Sequence, residues 1–238
     1  MNSKHTKKNL SSKKSEKLSK KSTNKPAVET IETEEIYDLF SKNAVQHETP
    51  IGIFTMGIPG SGKSTVVKRF IKEELSQLIP NPTNNSKMYN YNDFILCNPD
   101  EIMPLFKDYN HENPGKHLGF ASRKVSSLLN MIVKNDFKYS FIYDGTGSNV
   151  TAYASALNRA IQNGYTIILL NITVPVEVAI ERVSKRTRKV NSTDIQRVNT
   201  KLKTAFLPSH KKYPNMTPFD IYKSILTEND FIIEINNT

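Results

Sequence analysis

Cysteines, long apolar runs and metal-ligand spacings are all scarce in this sequence. The single cysteine, Cys97, excludes an intramolecular disulfide and suits a reducing compartment. No apolar run approaches the roughly 18 residues of a membrane span, and the first residues have no apolar signal-peptide core. The five histidines lack the spacing of zinc ligands. These absences predict a cytoplasmic protein with no membrane partner and no zinc site.

Positive charge is distributed unevenly along the chain. The 238 residues have a formal net charge of +10, and residues 1–25 alone hold nine lysines against one acid. Because this segment has almost no apolar side chains, we predict a disordered tail over residues 1–25. Such a tail is most often merely solvated, but it would also suit nuclear import or binding of a nucleic acid. The remaining residues, 26–238, are nearly neutral and are predicted to form one domain.

Short apolar runs alternate with segments of helical periodicity. Strands are predicted at residues 51–56, 94–97, 141–143, 165–174 and 231–235. Helices are predicted at 28–41, from 66 to Pro80, at 121–133, at 150–162, after Pro175, after an N-cap at Thr193, and at 221–226. This alternation predicts an α/β fold, a parallel β-sheet with helices on both faces.

Residues 57–64 read GIPGSGKS, a complete G-x-x-x-x-G-K-[ST] phosphate-binding motif between a predicted strand and a predicted helix. Glycines let consecutive N–H groups and the helix N-terminus point at an anion. In this motif the lysine reaches the β/γ-phosphates and the serine hydroxyl ligates Mg²⁺. ATP and Mg²⁺ are therefore the expected cofactors. The predicted nucleotide-binding residues are Gly57, Pro59, Gly60, Ser61, Gly62, Lys63, Ser64 and Thr65.

Polar residues follow the predicted strands at the edge where a parallel sheet binds its ligand. Beside a phosphate-binding loop, we favour Asp100 as the general base for an acceptor hydroxyl. The alternative is that Asp100, which follows Asn98 and Pro99, only caps a helix. Asp144 ends the third strand, where an acid helps to hold Mg²⁺ or contacts the substrate. Thr146, in the next turn, is within reach of a substrate.

Two arginines follow the fourth strand across one helix. Arg182 and Arg186 are four residues apart, which puts both side chains on one helix face. A basic face is more often only solvated, but beside a nucleotide site two arginines can neutralise charge on a transferring phosphoryl group. Arg188 and Lys189 extend this charge into a predicted lid.

Four motifs in this order resemble the zeta-toxin-like P-loop kinases. They are GIPGSGKS at 57–64, Asn-Pro-Asp-Glu at 98–101, Asp-Gly-Thr-Gly at 144–147 and Val-Pro-x6-Arg-x3-Arg at 174–186. The similarity covers about residues 50–210 and implies a P-loop NTPase fold and ATP- and Mg²⁺-dependent phosphorylation of UDP-N-acetylglucosamine on a sugar hydroxyl. By position it implies that Asp100 is the base, that Asp144 and Thr146 contact the sugar nucleotide, and that Arg182 and Arg186 contact phosphates.

Two other functions fit part of the pattern. The loop, the Asn-x-Asp turn and the basic lid also resemble phage-type polynucleotide kinases, which implies the 5′-hydroxyl of a nucleic acid as acceptor. A nucleotide-dependent binding or switch protein is the alternative of another class. A regulatory GTPase is disfavoured, because no Asn-Lys-x-Asp segment occurs in residues 26–238. We predict a kinase with a small-molecule acceptor. Candidate residues of the acceptor pocket are Met103, Tyr109, His117 and Arg123.

Overall fold

One parallel sheet organises the chain. The computed structural model describes residues 31–80, 88–110, 115–186 and 190–238, so the predicted tail and the lid residues Arg188 and Lys189 lie outside the described residues. The sheet has the order β2-β3-β1-β4-β5, and every neighbouring pair is parallel. Its strands are β1 (Ile51–Met56), β2 (Ile95–Cys97), β3 (Phe141–Asp144), β4 (Thr166–Thr173) and β5 (Phe231–Asn236).

Helices cover both faces of this sheet, which confirms the predicted fold class. They are α1 (Thr33–Ser41), α2 (Lys63–Glu73), α3 (Leu75–Leu78), α4 (Pro99–Ile102), α5 (Gly115–Lys134), α6 (Val150–Gln162), α7 (Val176–Ser184), α8 (Ser192–Lys203) and α9 (Pro218–Ile225). None of these helices is long and apolar enough to cross a membrane.

Alternating side chains of the strands divide the core. In β1, Ile53 packs with α2 and α3 on one face, whereas Phe54 packs with α1, α5, α6 and α9 on the other. All six residues of β1 are buried, as expected for a central parallel strand. A smaller cluster joins α7 and α8 to Ile58, just after β1. The segment after β1 is therefore packed on one side by the helix that carries Arg182.

Several predicted boundaries were wrong. The helix after the loop does not run unbroken to Pro80, because the backbone turns at Glu74 (φ −120°) before α3 begins. Thr193 is not the N-cap of α8; Asn191 holds that position, and its side chain accepts from the Thr193 N–H. Residues 91–93 form a 3-10 turn ahead of β2, and residues 81–87 lie outside the described ranges.

Candidate functional site

The loop at residues 57–64 joins β1 to α2 at the carboxyl edge of the sheet. Gly57, Gly60 and Gly62 have φ values of +143°, +90° and +84°, which side chains with a Cβ rarely adopt. The Gly57 N–H donates to the Thr146 carbonyl across 3.1 Å, so the loop is also tied to the turn after β3. The glycine spacing recognised in the sequence is thus required by the shape of the backbone.

Neighbouring backbone comes too close to this loop for larger residues. A Cβ on Gly57 would lie 2.3 Å from the Ile172 carbonyl oxygen of β4. A Cβ on Gly60 would lie 2.4 Å from the carbonyl oxygen of Ala179 in α7. The loop is therefore held between β4 and α7, and its amides at the start of α2 can receive a phosphate group without rearrangement of its surroundings.

Lys63 lies over the loop. Its Nζ donates to the carbonyls of Gly57 and Ile58, at 3.1 and 3.2 Å. The next residues of the motif, Ser64 and Thr65, are exposed in the first turn of α2, where their hydroxyl groups can reach a bound ligand. Ser61 is fully buried, and its Oγ has no hydrogen-bond partner among the residues that the structure describes.

The charges of three side chains act on Lys63. Burial lowers the pKa of this ammonium group, and the nearby carboxylates of Asp144 and Asp100 oppose that shift. Arg186 lowers the Lys63 pKa further by repulsion. The structure therefore brings together residues that were predicted separately after three different strands.

Asp144 is held by two hydrogen bonds, one to each carboxylate oxygen. The Thr55 hydroxyl, on the adjacent strand β1, donates to Oδ1 across 2.8 Å. The Asn98 side-chain amide donates to Oδ2 across 3.0 Å. Thr55 is fully buried, and its oxygen also accepts from the Gly145 N–H at 3.2 Å. These contacts orient the carboxylate and leave lone pairs on both oxygens for a metal ion or a bound water.

Asp100 lies in the first turn of the short helix α4. Asn98 is the N-cap of that helix and accepts from the Asp100 N–H across 2.8 Å, so Asp100 itself is not the cap. Asp100 is exposed, and its charge acts on Lys63. An exposed carboxylate near a phosphate-binding lysine is in a position to contact a second substrate.

The two arginines are arranged differently from the prediction. Arg182 lies in the last turn of α7, and its Nη1 donates to the backbone carbonyl of Asn237 across 3.0 Å. Because α7 ends at Ser184, Arg186 does not share a helix face with Arg182 as predicted. The Arg186 N–H instead donates to the Val183 carbonyl in a tighter turn, and its charge still reaches Lys63.

Part of the predicted acceptor pocket is core. Met103 is fully buried, and His117 is 1% exposed and packs on the rings of Phe106 and Tyr109. These two predictions were wrong because the apolar side of α5 needs partners from the segment after α4. Arg123 is exposed and lies over the Phe120 ring, 4.6 Å from its centroid.

Two further residues of the candidate site are Thr146 and Tyr91. The Thr146 hydroxyl pairs with that of Ser148 at 2.8 Å. Tyr91 is half-buried, and burial raises its pKa to about 12, with Asp144 and Glu101 adding to the rise. The sequence pattern did not point to Thr55 or Tyr91, which look like ordinary strand and loop residues. Asn98 could have been found, since it belongs to the Asn-Pro-Asp motif.

The donor set suits Mg²⁺. Among the described residues, no three His, Cys, Asp or Glu side chains are grouped as a metal site. Ser64 offers a hydroxyl oxygen and Asp144 a carboxylate, which are hard oxygen ligands. Mg²⁺ commonly takes one or two protein ligands and completes its octahedron with water and substrate phosphates. The residues present therefore fit a magnesium ion that is bound together with a nucleotide.

A parallel sheet with a glycine-rich phosphate-binding loop after its central strand defines a P-loop NTPase. A family model described as zeta toxin matches residues 37–206, well over half of the chain. The chain therefore belongs to the zeta toxin family. Comparison with curated proteins gave no match.

Several solved structures are similar to this chain. One comes from the PezAT chromosomal toxin–antitoxin system of Streptococcus pneumoniae, with a TM-score of 0.50 and 16% identity over 63% of this chain and 57% of that chain. A second is the AvrRxo1-ORF1:ORF2 complex, with a TM-score of 0.46 and 15% sequence identity over 65% of this chain and 49% of that chain. A third is a candidate kinase from Chloroflexus aurantiacus, with a TM-score of 0.46 and 14% sequence identity over 80% of this chain and 90% of that chain. The alignment thus spans a little over half of the PezAT chain, and at 16% identity the likeness concerns the fold.

Proposed function

We propose that this protein transfers the γ-phosphoryl group of ATP to a hydroxyl group of a small molecule, with a nucleotide sugar such as UDP-N-acetylglucosamine as the first candidate. The observation that carries the proposal is the phosphate-binding loop with Lys63 bonded across it, tied to the turn after the oriented carboxylate of Asp144. The charges of Asp144, Arg186 and Asp100 also act on the Lys63 ammonium group. Phosphoryl transfer needs this combination of positive charge, a metal ligand and a base around one phosphate site.

On the nucleotide side, the loop amides and Lys63 hold the triphosphate. The two carbonyls that now accept from Lys63 can be exchanged for phosphate oxygens without moving the lysine backbone. Ser64 and Asp144 hold the magnesium ion, which neutralises phosphate charge when it is bound. Thr55 and Asn98 keep the Asp144 carboxylate in place for this task.

On the acceptor side, Asp100 takes the proton of the attacking hydroxyl group. The acceptor oxygen forms a bond to the γ-phosphorus, and the bond from that phosphorus to the β,γ-bridging oxygen breaks, so ADP leaves. Arg182 and Arg186 compensate the negative charge on the group in transit. Thr146, whose carbonyl already receives the Gly57 N–H, offers its hydroxyl to the acceptor.

The test is transfer of label from γ-labelled ATP by the full chain with Mg²⁺. UDP-N-acetylglucosamine and a 5′-hydroxyl oligonucleotide are offered in separate reactions. Lys63→Ala is the inactive blank, and Lys72→Ala, an exposed lysine on the same helix, is the matched control. Label in the sugar nucleotide supports the proposal. Label in the oligonucleotide identifies a polynucleotide kinase. Label in neither, with ATP bound, removes UDP-N-acetylglucosamine as the acceptor and leaves another acceptor or a nucleotide-dependent binding protein.

A further inference from the structure

Asn237, just after β5, makes three hydrogen bonds to different parts of the site. Its N–H donates to the Thr173 carbonyl across 2.9 Å and continues the β4–β5 ladder by one residue. Its side-chain Nδ2 donates to the Ser61 carbonyl in the phosphate-binding loop across 2.7 Å. Its own carbonyl accepts from Arg182 Nη1 across 3.0 Å. One residue therefore joins the sheet, the loop and the arginine of α7.

The contacts at Gly62 show how closely these parts meet. A Cβ on Gly62 would lie 2.5 Å from Asn237 Nδ2 and 4.0 Å from Arg182 Nη1. The guanidinium group thus lies beside the last glycine of the loop, where the amides of α2 begin. This is the end of the loop at which a bound phosphate is expected.

The helix alone does not fix the guanidinium group. Ala179 packs its backbone on Gly60 and thereby sets the position of α7. Arg182 lies one turn further on, at the end of a long side chain with many rotamers. Its hydrogen bond to the Asn237 carbonyl selects one of them. Only one of five guanidinium N–H groups is used in this bond, so the others remain for a phosphate.

We propose that Asn237 is a positioning residue that holds Arg182 beside the loop before the phosphoryl group is transferred. The Nδ2 bond to Ser61 anchors the Asn237 backbone, and the anchored carbonyl then orients the guanidinium group. Because the positive charge of the guanidinium group is already in place, the side chain does not have to reorganise when negative charge develops on the phosphoryl group in transit. This inference rests on the proposed role of Arg182 in phosphoryl transfer.

The first test examines the contact without any reaction. Side-chain ¹⁵N NMR of the full chain follows the Arg182 guanidinium signal, which is assigned with Arg182→Lys. Asn237→Ala keeps the carbonyl and the backbone bond to Thr173 but removes the side-chain anchor to Ser61, so the Arg182 signal is expected to change towards that of a freely rotating arginine. Asn236→Ala, an exposed neighbour on the same segment, is expected to leave it unchanged. An unchanged Arg182 signal in Asn237→Ala overturns the proposal.

The second test is a double-mutant cycle with Mg²⁺, ADP and aluminium fluoride, which mimic the phosphoryl group in transit. Arg182→Ala is expected to weaken this complex about tenfold, and Asn237→Ala about fivefold, with ADP alone changed less than twofold. Asn237→Ala should have no further effect in the Arg182→Ala protein. Additive losses, or an equal loss for ADP alone, overturn the proposal. If aluminium fluoride does not tighten ADP binding even to the unchanged protein, the proposed function of phosphoryl transfer is contradicted. The NMR test then still decides whether Asn237 positions Arg182.

Discussion

The phosphate-binding loop includes Lys63, and the short helix α4 carries Asp100, whose charge acts on Lys63. These two segments are held in place in different ways. The loop is fixed by close backbone contacts to β4 and α7, at distances that admit only glycine, and by the Asn237 side chain after β5. Helix α4 has four residues, is capped by Asn98 and presents Asp100 to solvent. The side that we propose for the nucleotide is therefore shaped mainly by the main chain, whereas the side that we propose for the acceptor is shaped by side chains.

This difference fits the two ligands of the proposed reaction. Every nucleoside triphosphate presents the same phosphates, so a rigid ring of backbone N–H groups serves all of them. An acceptor is recognised through its particular hydroxyl groups and rings, which requires side chains that differ from one kinase to another. The two sides should consequently respond to mutation in separable ways, one in nucleotide affinity and the other in turnover.

The largest effect is expected on the acceptor side, for Asp100→Asn. The amide cannot take the proton of the acceptor hydroxyl, so turnover should fall about a thousandfold. The Asp100 N–H that binds Asn98 is unaffected by this change, and ATP affinity should stay within about twofold. Turnover is measured by label transfer and affinity by calorimetry.

The matched control is Glu101→Gln, an exposed acid next in the same helix, which should retain turnover. Full turnover in Asp100→Asn with ATP bound would remove Asp100 as the base. A parallel loss of ATP affinity would instead show that the two sides of the site are not separable.

A smaller effect, of about a hundredfold in turnover and accompanied by weaker ATP binding, is expected for Gly60→Ala on the nucleotide side. The new Cβ would lie 2.4 Å from the Ala179 carbonyl oxygen, and φ is +90°, so the loop or α7 must shift. Gly119→Ala makes the same chemical change on the exposed face of α5. That control should bind ATP normally and be slightly more stable, because alanine favours a helix over glycine. Unchanged ATP affinity in Gly60→Ala would contradict the account of the loop.

The two sides also differ in how far the sequence predicts them. The loop was predictable in position and in its glycines because its function depends on a local backbone shape, and the apolar runs predicted the strands beside it. Met103 and His117 were assigned to the acceptor pocket and are instead buried. Residue type alone does not reveal that Met103, after α4, and His117, in α5, face the core.

Contacts between distant segments were the least predictable part. Asn237 and Ser61 are 176 residues apart in sequence, and no local pattern marks either as a partner. Thr55 lies within an apolar strand, where a threonine indicates only a preference for β-structure. The arginine pair was misjudged for a related reason: the periodicity was extended past Ser184, where α7 ends. Such features depend on packing, which the pattern does not contain.

The next variant, Thr55→Val, changes a residue that lies between the nucleotide side and the acceptor side of the site. Valine has a similar shape but cannot donate to Asp144, so the carboxylate loses the bond to Oδ1. If Asp144 holds Mg²⁺, the Mg²⁺ concentration for half-maximal turnover should rise about tenfold, as is typical for loss of a group that orients a metal ligand. Thr166→Val, a strand threonine at the opposite end of the sheet, is the control and should leave this concentration unchanged. A higher KM for the acceptor, with unchanged Mg²⁺ dependence, would assign Asp144 to substrate binding instead.

The smallest effect should concern stability alone and involve neither side of the site. His47 lies at the opposite end of β1, where its Nδ1 is 2.8 Å from the Ser140 hydroxyl oxygen, which also accepts from the Ile51 N–H. Burial lowers the pKa of His47, and Asp93 opposes this shift only in part. The unfolded chain therefore binds a proton at a higher pH than the folded protein, so this histidine costs stability as the pH falls below about 6.5.

His47→Gln should accordingly be less stable than the unchanged protein by about 1 kcal/mol at pH 8, because a buried hydrogen bond is lost. The difference in the free energy of unfolding between the two proteins should shrink as the pH falls from 7 to 5. In this range the unfolded form of the unchanged protein gains a proton on His47, which lowers the stability of that protein alone. Urea unfolding at four pH values measures this, and ATP affinity at pH 8 should be equal in both proteins. A stability difference that is constant with pH would show that His47 contributes packing but no proton linkage. A change in ATP affinity would show that the two ends of β1 are coupled, and the separation between sheet and site would then not hold.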